Sequence, residues 1–211
     1  MPTTASGRRN KRLLQGERSR EEILDVASRM MSLRGFDGTS IADIARESGL
    51  PNSSIYWHFA SKQGILAAVM ERGATRFFAS ASPPEVAAED TPERYLHRAL
   101  GEAGVALAEH PEFLRLFVLL LLSGSAPETT EIVERVRIRA RGRLHELIWR
   151  AFAVVDPQRA QEVADATVDF ALAGFDGAFL ALQANPAASH EHLMGQLATA
   201  LAAVGRTHLP A

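Results

Sequence analysis

Apolar positions first come into register at Ile23, Leu24, Ala27, Met30 and Met31, at spacings of three and four that put them on one face of a helix. Ser19-Arg-Glu-Glu22 just before them has the form of a capping box. Gly35 supplies a stop, so the predicted helix runs from about Ser19 to Arg34. A shorter pattern starts at Ser40, with Asp43 three positions on; Ile41, Ile44 and Ala45 face inward and Gly49 ends it. A third helix begins near Pro51 and carries Ile55 and Tyr56. Ser61 is the predicted cap of a longer fourth one with Ile65, Leu66, Val69 and Met70 inside, and Gly64 in its first turn costs about 1 kcal/mol relative to alanine. The stretch SASPPEVAAEDTPER (80–94) reads as a linker or a frayed helix end, because Pro83-Pro84 cannot continue a helix. Thr91-Pro92 restarts one. Further helices are expected from Pro111, near Pro127, at Asp156-Pro157 and from about His190 to Val204.

One window argues for a strand. ERVRIRARGR alternates polar and apolar positions. Over a longer span Ile132, Val136, Ala140, Leu144, Leu147 and Ala151 hold helical spacing, and the segment reads as helix. The arginines then spread around it as a solvated face paired with Glu131, Glu134 and Glu146, in preference to a second nucleic-acid patch. The expected fold is all-α with about nine helices and no internal repeat.

Composition narrows the classes. The chain has 211 residues, 46% of them hydrophobic, enough for a real core. Its longest apolar run, Leu116 to Leu122, is far short of the roughly 20 residues that span a membrane. The first 22 residues are polar and basic, without the apolar segment of a signal peptide, and a cytoplasmic protein is expected. The absence of cysteine excludes disulfides, thiol nucleophiles and zinc–thiolate sites. Charge is lopsided: residues 1–72 carry 11 Lys/Arg against 8 Asp/Glu, the remainder 12 against 17. Arg8, Arg9, Lys11, Arg12, Arg18 and Arg20 face only Glu17 in the first 20 residues. Residues 1–18 read as a flexible, mostly disordered basic tail, which either meets a polyanion at this end or stays solvated.

Two short helices joined by Gly49-Leu50-Pro51, after a longer one, have the layout of a helix-turn-helix. In that motif the second helix enters the major groove while neighbouring elements hold phosphates. The tetrapeptide Tyr56-Trp57-His58-Phe59 fits this division. Tyr56 and His58 can pack and still reach a phosphate oxygen, and Lys62 adds a charge at the next helix's start. Trp57 and Phe59 are expected to anchor the helix to its own core.

The stretch ILDVASRMMSLRGFDGTSIADIARESGLPNSSIYWHFASKQGIL resembles the DNA-binding domain of the tetracycline-repressor (TetR) family of transcriptional regulators. The marks are Gly35-Phe36, Thr39-Ser40, Ile44-Ala45, Gly49, Tyr56-Trp57-His58-Phe59 and Ser61-Lys62, over roughly residues 19–70. The resemblance implies a DNA-binding domain at 19–66 and a larger C-terminal body at 67–211 that binds a small molecule and forms a homodimer. It also implies a recognition helix at about Pro51–His58. Asn52, Ser53 and Tyr56 hold positions that usually face bases; Thr39, Ser54, His58 and Lys62 hold positions that usually touch phosphates, with Ser40 and Trp57 beside them. Asparagine can pair with adenine, at about 1–3 kcal/mol of discrimination; a plain helix cap is the competing role for Asn52. Pro51, Ser53 and Gln63-Gly64 depart from the common pattern, which bears on the operator sequence and not on the role. The N-terminal arginines either enter a minor groove or stay solvated.

For the body, Tyr95, Phe113, Phe117, Trp149, Phe152, Phe170, Phe175 and Phe179 are the candidate walls of an effector pocket, with His97, His145, Asp169 and Asp176 as polar candidates; plain core filling competes for each. Small residues at Ala171, Gly174, Ala178 and Ala181 form a stripe that permits close helix approach, and Leu193, Leu197, Ala200, Leu201 and Val204 repeat the theme. Two such helices from each subunit would make an isologous four-helix bundle. The competing reading packs both inside one subunit. His190-Glu191-His192 points its histidines apart on a helix, and no metal site, cofactor or catalytic constellation is expected. The reading is a dimeric regulator of double-stranded DNA, in preference a repressor released from a palindromic operator by a largely apolar small molecule. The rivals are a non-specific, architectural DNA-binding protein and an enzyme or carrier built on the body.

Overall fold

The computed structural model describes residues 4–123, 127–185 and 187–209, with the side chains of 4–9, 11, 12 and 128 set aside. Among the described residues there are nine helices and no strand: α1 Thr4–Arg34, α2 Ile41–Ser48, α3 Asn52–His58, α4 Lys62–Ser80, α5 Pro92–Glu109, α6 Pro111–Leu122, α7 Pro127–Ala153, α8 Ala160–Ala184 and α9 His190–Arg206. The all-α expectation and the helix count hold, and the alternating segment 134–143 is helix within α7. None of these helices is long and apolar enough to cross a membrane.

The chain divides into two compact units, Met1–Gly73 with Glu112–Val133, and Ala74–Pro111 with Glu134–Ala211. The boundary expected at 66/67 therefore falls later, inside α4, and α6 joins the first unit.

In the first unit, Ile23, Leu24, Ala27 and Met31 of α1 are buried with Ile44, Ile55, Phe59, Ile65, Leu66 and Met70. This is the face that the spacing predicts. The start of α1 is a correction. The helix begins at Thr4, not near Ser19, so residues 4–18 are not a tail. Ser19 caps nothing: its hydroxyl donates to the Gln15 carbonyl one turn back (3.0 Å). α1 ends as expected, with Gly35 at φ 74° donating its N–H to the Met31 carbonyl. Gly73 is needed for packing, because a Cβ there would lie 2.5 Å from the Phe113 ring.

In the second unit, close helix approach rests on glycine. A Cβ at Gly104 would lie 2.9 Å from Met194 (α5 on α9), and one at Gly174 2.5 Å from Leu197 (α8 on α9). One at Gly205 would lie 2.2 Å from Phe152 (α9 on α7). The small-residue stripe is thus spent within the subunit: Ala171, Ala178, Leu197 and Leu201 are already buried in the single chain, and Gly174, Ala181 and Leu193 are half-buried. Four of the seven residues expected at a dimer interface are therefore covered within the chain, while Gly174, Ala181 and Leu193 keep part of their surface exposed.

Ion pairs line α7 and α8. Arg137 pairs with Asp176, Arg141 with Asp169 (2.9 Å) and His145 with Asp165 (2.8 Å), while Arg143 and Arg150 take Glu146. Of the arginines of 135–143, Arg137 and Arg141 reach across to α8 acids, Arg143 stays with Glu146 on its own helix and Arg139 lies 4.7 Å from the Phe78 ring centre; His145, Asp169 and Asp176 serve the α7–α8 pairs. His97 bonds Thr199 (3.0 Å).

The aromatic candidates do not line one pocket. Phe113 and Phe117 stack in the first unit, 6.4 Å apart. In the second, Tyr95 is buried with its hydroxyl donating to the Pro84 carbonyl (3.2 Å), Phe152 fills the space at Gly205, and Phe179 is core. Phe175 packs edge-on to Phe77, and Trp149 and Phe170 are 40% and 46% exposed. Within 80–94, residues 81–91 form an ordered loop between α4 and α5: the Asp90 side chain, only 2% exposed, accepts from the Ala87 N–H and pairs with Arg98, whose guanidinium also holds the Glu85 carbonyl.

Candidate nucleic-acid interface

α2 begins with the capping box that the sequence announces. The Ser40 hydroxyl accepts from the Asp43 N–H (3.1 Å), and Asp43 Oδ2 takes the Ser40 N–H (3.2 Å) and hydroxyl (2.6 Å). These bonds, with Arg46, hold the Asp43 carboxyl at a pKa of about 2. The same bonds spend both Ser40 donors. Thr39 is 1% exposed and donates its hydroxyl to the Gly35 carbonyl (3.0 Å). Thr39 and Ser40 therefore build the start of α2 and offer a phosphate no free hydroxyl, contrary to their assignment as contacts. The α2 N–H groups of Ile41 and Ala42 have no carbonyl within the helix and remain the anion-facing donors there.

Gly49 ends α2 in the left-handed region (φ 69°, ψ 9°), and the chain re-enters α3 through Pro51, at φ −66° and with no side-chain cap. Asn52 is the first residue inside α3, so it is not the cap. Its side chain is exposed, as is Ser53, and neither side chain hydrogen-bonds another described residue. Ile55 and Phe59 bury the opposite side of the helix, while Tyr56 and Trp57 are 57% and 77% exposed. Phe59 is thus the core anchor and Trp57 is not, a second correction. Seven residues with one buried side chain do not hold a helix alone; the anchoring by Ile55 and Phe59 aims α3.

His58 is half-buried, with its ring edge-on to Trp57 at 4.5 Å. Burial, aided by the Arg20 charge, lowers its pKa below the usual imidazole value. At neutral pH it is an uncharged hydrogen-bonding group, not a cation. Lys62 donates to the Phe36 carbonyl (3.0 Å) and lies 4.2 Å from the Phe36 ring centre, which ties it to the turn before α2. An ammonium has three donors, so two remain for a phosphate. Ser61 caps α4 as predicted, accepting from the Gly64 N–H (3.1 Å). Of the residues singled out from sequence, Asn52, Ser53, Ser54, Tyr56, Trp57, His58 and Lys62 thus share α3 and its junction with α4.

Sequence reasoning missed Gln15, Gly16 and Ser19. With Ser53, Ser54, Trp57 and His58 they line a cavity of about 320 Å³ between α1 and α3. The signal was present in the lack of any proline between Thr4 and Arg34, but a polar segment with two glycines does not read as helix.

Comparison with known proteins agrees with this geometry. The model of the family described as bacterial regulatory proteins, tetR family, matches residues 23–69, which run from mid-α1 into α4. The HTH-type transcriptional regulator AcrR of Shigella flexneri is 37% identical over 57 residues, 27% of this chain and 26% of that protein. The biofilm operon icaADBC HTH-type negative transcriptional regulator IcaR of Staphylococcus aureus is 39% identical over 46 residues, 22% of this chain and 25% of that protein. The matched stretch spans about a quarter of the length of these curated relatives. A tetR-family transcriptional regulator from Streptomyces coelicolor superposes with a TM-score of 0.67 at 20% identity, covering 91% of this chain and 82% of that one, a likeness of fold that runs through both units. Residues 23–69 thus match the tetR-family model, and the helical fold as a whole is like that of a tetR-family transcriptional regulator.

Proposed function

We propose that the protein is a sequence-specific, dimeric DNA-binding regulator, a repressor released from a near-palindromic operator by a small molecule. The observation that carries the DNA reading is α3: Asn52, Ser53, Tyr56 and Trp57 stand exposed on a helix whose other side, Ile55 and Phe59, is buried. Asn52 reads bases, and His58, Lys62 and the first amides of α2 hold phosphates. Repression is the sense printed for the relative IcaR.

The dimer reading now rests on different residues. Ala166, Phe170, Ala173, Gly177, Leu180 and Ala184 form an exposed stripe along α8 at steps of three and four, with Phe170 46% and Leu180 48% exposed. An apolar face of this kind marks an interface more often than free surface. Pairing α8 with its copy across a two-fold axis makes an isologous contact and gives two reading heads for two half-sites.

The effector, a largely apolar small molecule, acts on the second unit. Release requires only that it bind the DNA-competent and released shapes unequally; a preference of roughly 1,000-fold corresponds to about 4 kcal/mol. The rival, a non-specific DNA-binding protein, has a steep salt slope and little sequence preference.

Fluorescence anisotropy against duplexes tiling the protein's own upstream region, with a scrambled control at two salt concentrations, separates the readings. Tight binding to one tile is expected, with Asn52→Ala relaxing sequence preference and Lys62→Ala weakening all duplexes alike. Equal affinity for every duplex favours the architectural rival.

A further inference from the structure

We propose that the cleft between the middle of α1, at Gln15–Ser19, and the recognition helix is a second DNA-backbone site, which takes a phosphate of the strand flanking the half-site and lays the start of α1 along that flank. This rests on the regulator reading and adds to it a DNA-binding surface outside the helix-turn-helix.

The lining is suited to an oxyanion. Gln15 contributes an amide, Ser53 and Ser54 contribute hydroxyls and His58 an imidazole, with no carboxylate among the lining residues. Ser19 is already committed as a donor to the Gln15 carbonyl, but Gln15, Ser53 and Ser54 have side-chain donors that no other described residue takes. Gly16 makes the space. A Cβ there would lie 3.7 Å from the Trp57 ring, so any longer side chain would fill the cleft. Trp57 forms one wall and is 77% exposed, a large aromatic surface that a partner would cover.

Charge points to the same occupant. Arg8, Arg9, Lys11 and Arg12 lie in the α1 turns immediately before the cleft, and Glu17 is the one acid in the first 20 residues of a chain whose net charge is −2. From Thr4 to Gln15 the helix rises about 1.5 Å per residue, so it reaches roughly 17 Å beyond the cleft, about five phosphates of one strand. A solvated tail explains the charge, but not a helix carried back to Thr4 with a glycine placed where it opens a donor-lined cleft on the recognition helix.

Two variants of the full chain test this on the operator duplex found by the tiling experiment. Gly16→Leu plugs the cleft while favouring helix, so its melting temperature should match or exceed the wild-type value. Its affinity should nevertheless fall at least about tenfold. Neutralising Arg8, Arg9, Lys11 and Arg12 to Gln should lower the slope of log K against log salt by about 0.9 for each phosphate left without its cation, about 2 to 4 per head. Trimming about five base pairs from each flank of the duplex should weaken wild type and leave the neutralised variant unchanged. If wild type binds its operator and both variants keep its affinity within about twofold and its salt slope, the cleft is not a DNA site and the regulator reading stands alone. If wild type binds no duplex at any salt, the regulator reading fails and takes this inference with it.

Discussion

The turn at Gly49 can be tested on its own. Its φ of 69° lies in the left-handed region, and a Cβ built there would meet nothing within 4 Å, so Gly49→Ala perturbs backbone conformation alone. Holding an L-residue in that region costs about 1–2 kcal/mol. Alanine recovers about 0.4–1 kcal/mol by stiffening the unfolded chain, which leaves a net loss on the order of 1 kcal/mol. Gly49→Asn should fall between the two, because asparagine tolerates this conformation. Gly35 provides an internal replicate, with φ 74° and the same open space, so Gly35→Ala should lose a similar amount. Urea unfolding followed by Trp57 fluorescence reports on the reading head once Trp149, the other tryptophan, is replaced by Phe. With an m-value near about 1 kcal/mol per M, the low end for small domains, the alanine variant should unfold at a midpoint about 1 M lower. A midpoint equal to wild type for Gly49→Ala, with asparagine no better than alanine, would refute the reasoning. The left-handed residue would then not be a constraint on how α2 hands over to α3.

The two faces of α8 should separate in mutation. Gly174→Val forces a side chain onto Leu197, where a Cβ alone would sit 2.5 Å from Cδ1, and should cost about 1–3 kcal/mol in calorimetry whatever the oligomeric state. Phe170→Arg should sediment as a monomer at concentrations where wild type is dimeric, with unchanged helical circular dichroism; a persistent dimer would move the interface elsewhere. His58 has a lowered pKa in the free protein, and a bound phosphate raises it again. DNA binding should therefore take up a proton, and affinity should rise as pH falls from neutral toward about 6. His58→Gln should flatten this profile. Asp43 has a folded pKa of about 2 against an ordinary 3.8, so its contribution to stability is present above about pH 4 and is lost as pH falls toward 2. An acid titration of Asp43→Asn should lack that component of the wild-type loss.

What was legible in the sequence is what neighbours along the chain decide. The apolar face of α1, the Ser40–Asp43 box, the glycine stops at Gly35 and Gly49 and the Thr91-Pro92 restart all depend on residues within about four positions, and each stands where the pattern puts it. The helix-turn-helix follows, because its layout is three such signals at fixed spacing. What was not legible depends on which surface meets which. Trp57 and Phe59 are two residues apart and chemically alike, yet one is exposed and the other is core, because only the packing of α3 against α1 and α2 decides which side of it is inside. Thr39 and Ser40 look like phosphate donors until the Gly35 carbonyl and the Asp43 carboxylate claim their hydrogens. The small stripe of α8 suits a partner subunit or its own α9 equally well, and Leu197 against Gly174 chose the latter. The early turns of α1 have no apolar face to predict them; beside α3, Gly16 lets the backbone approach Trp57. Helical spacing determines that a face exists. Tertiary packing alone determines what covers it, since burial rewards any apolar neighbour that fits and hydrogen bonds are claimed by whichever partner is brought into reach.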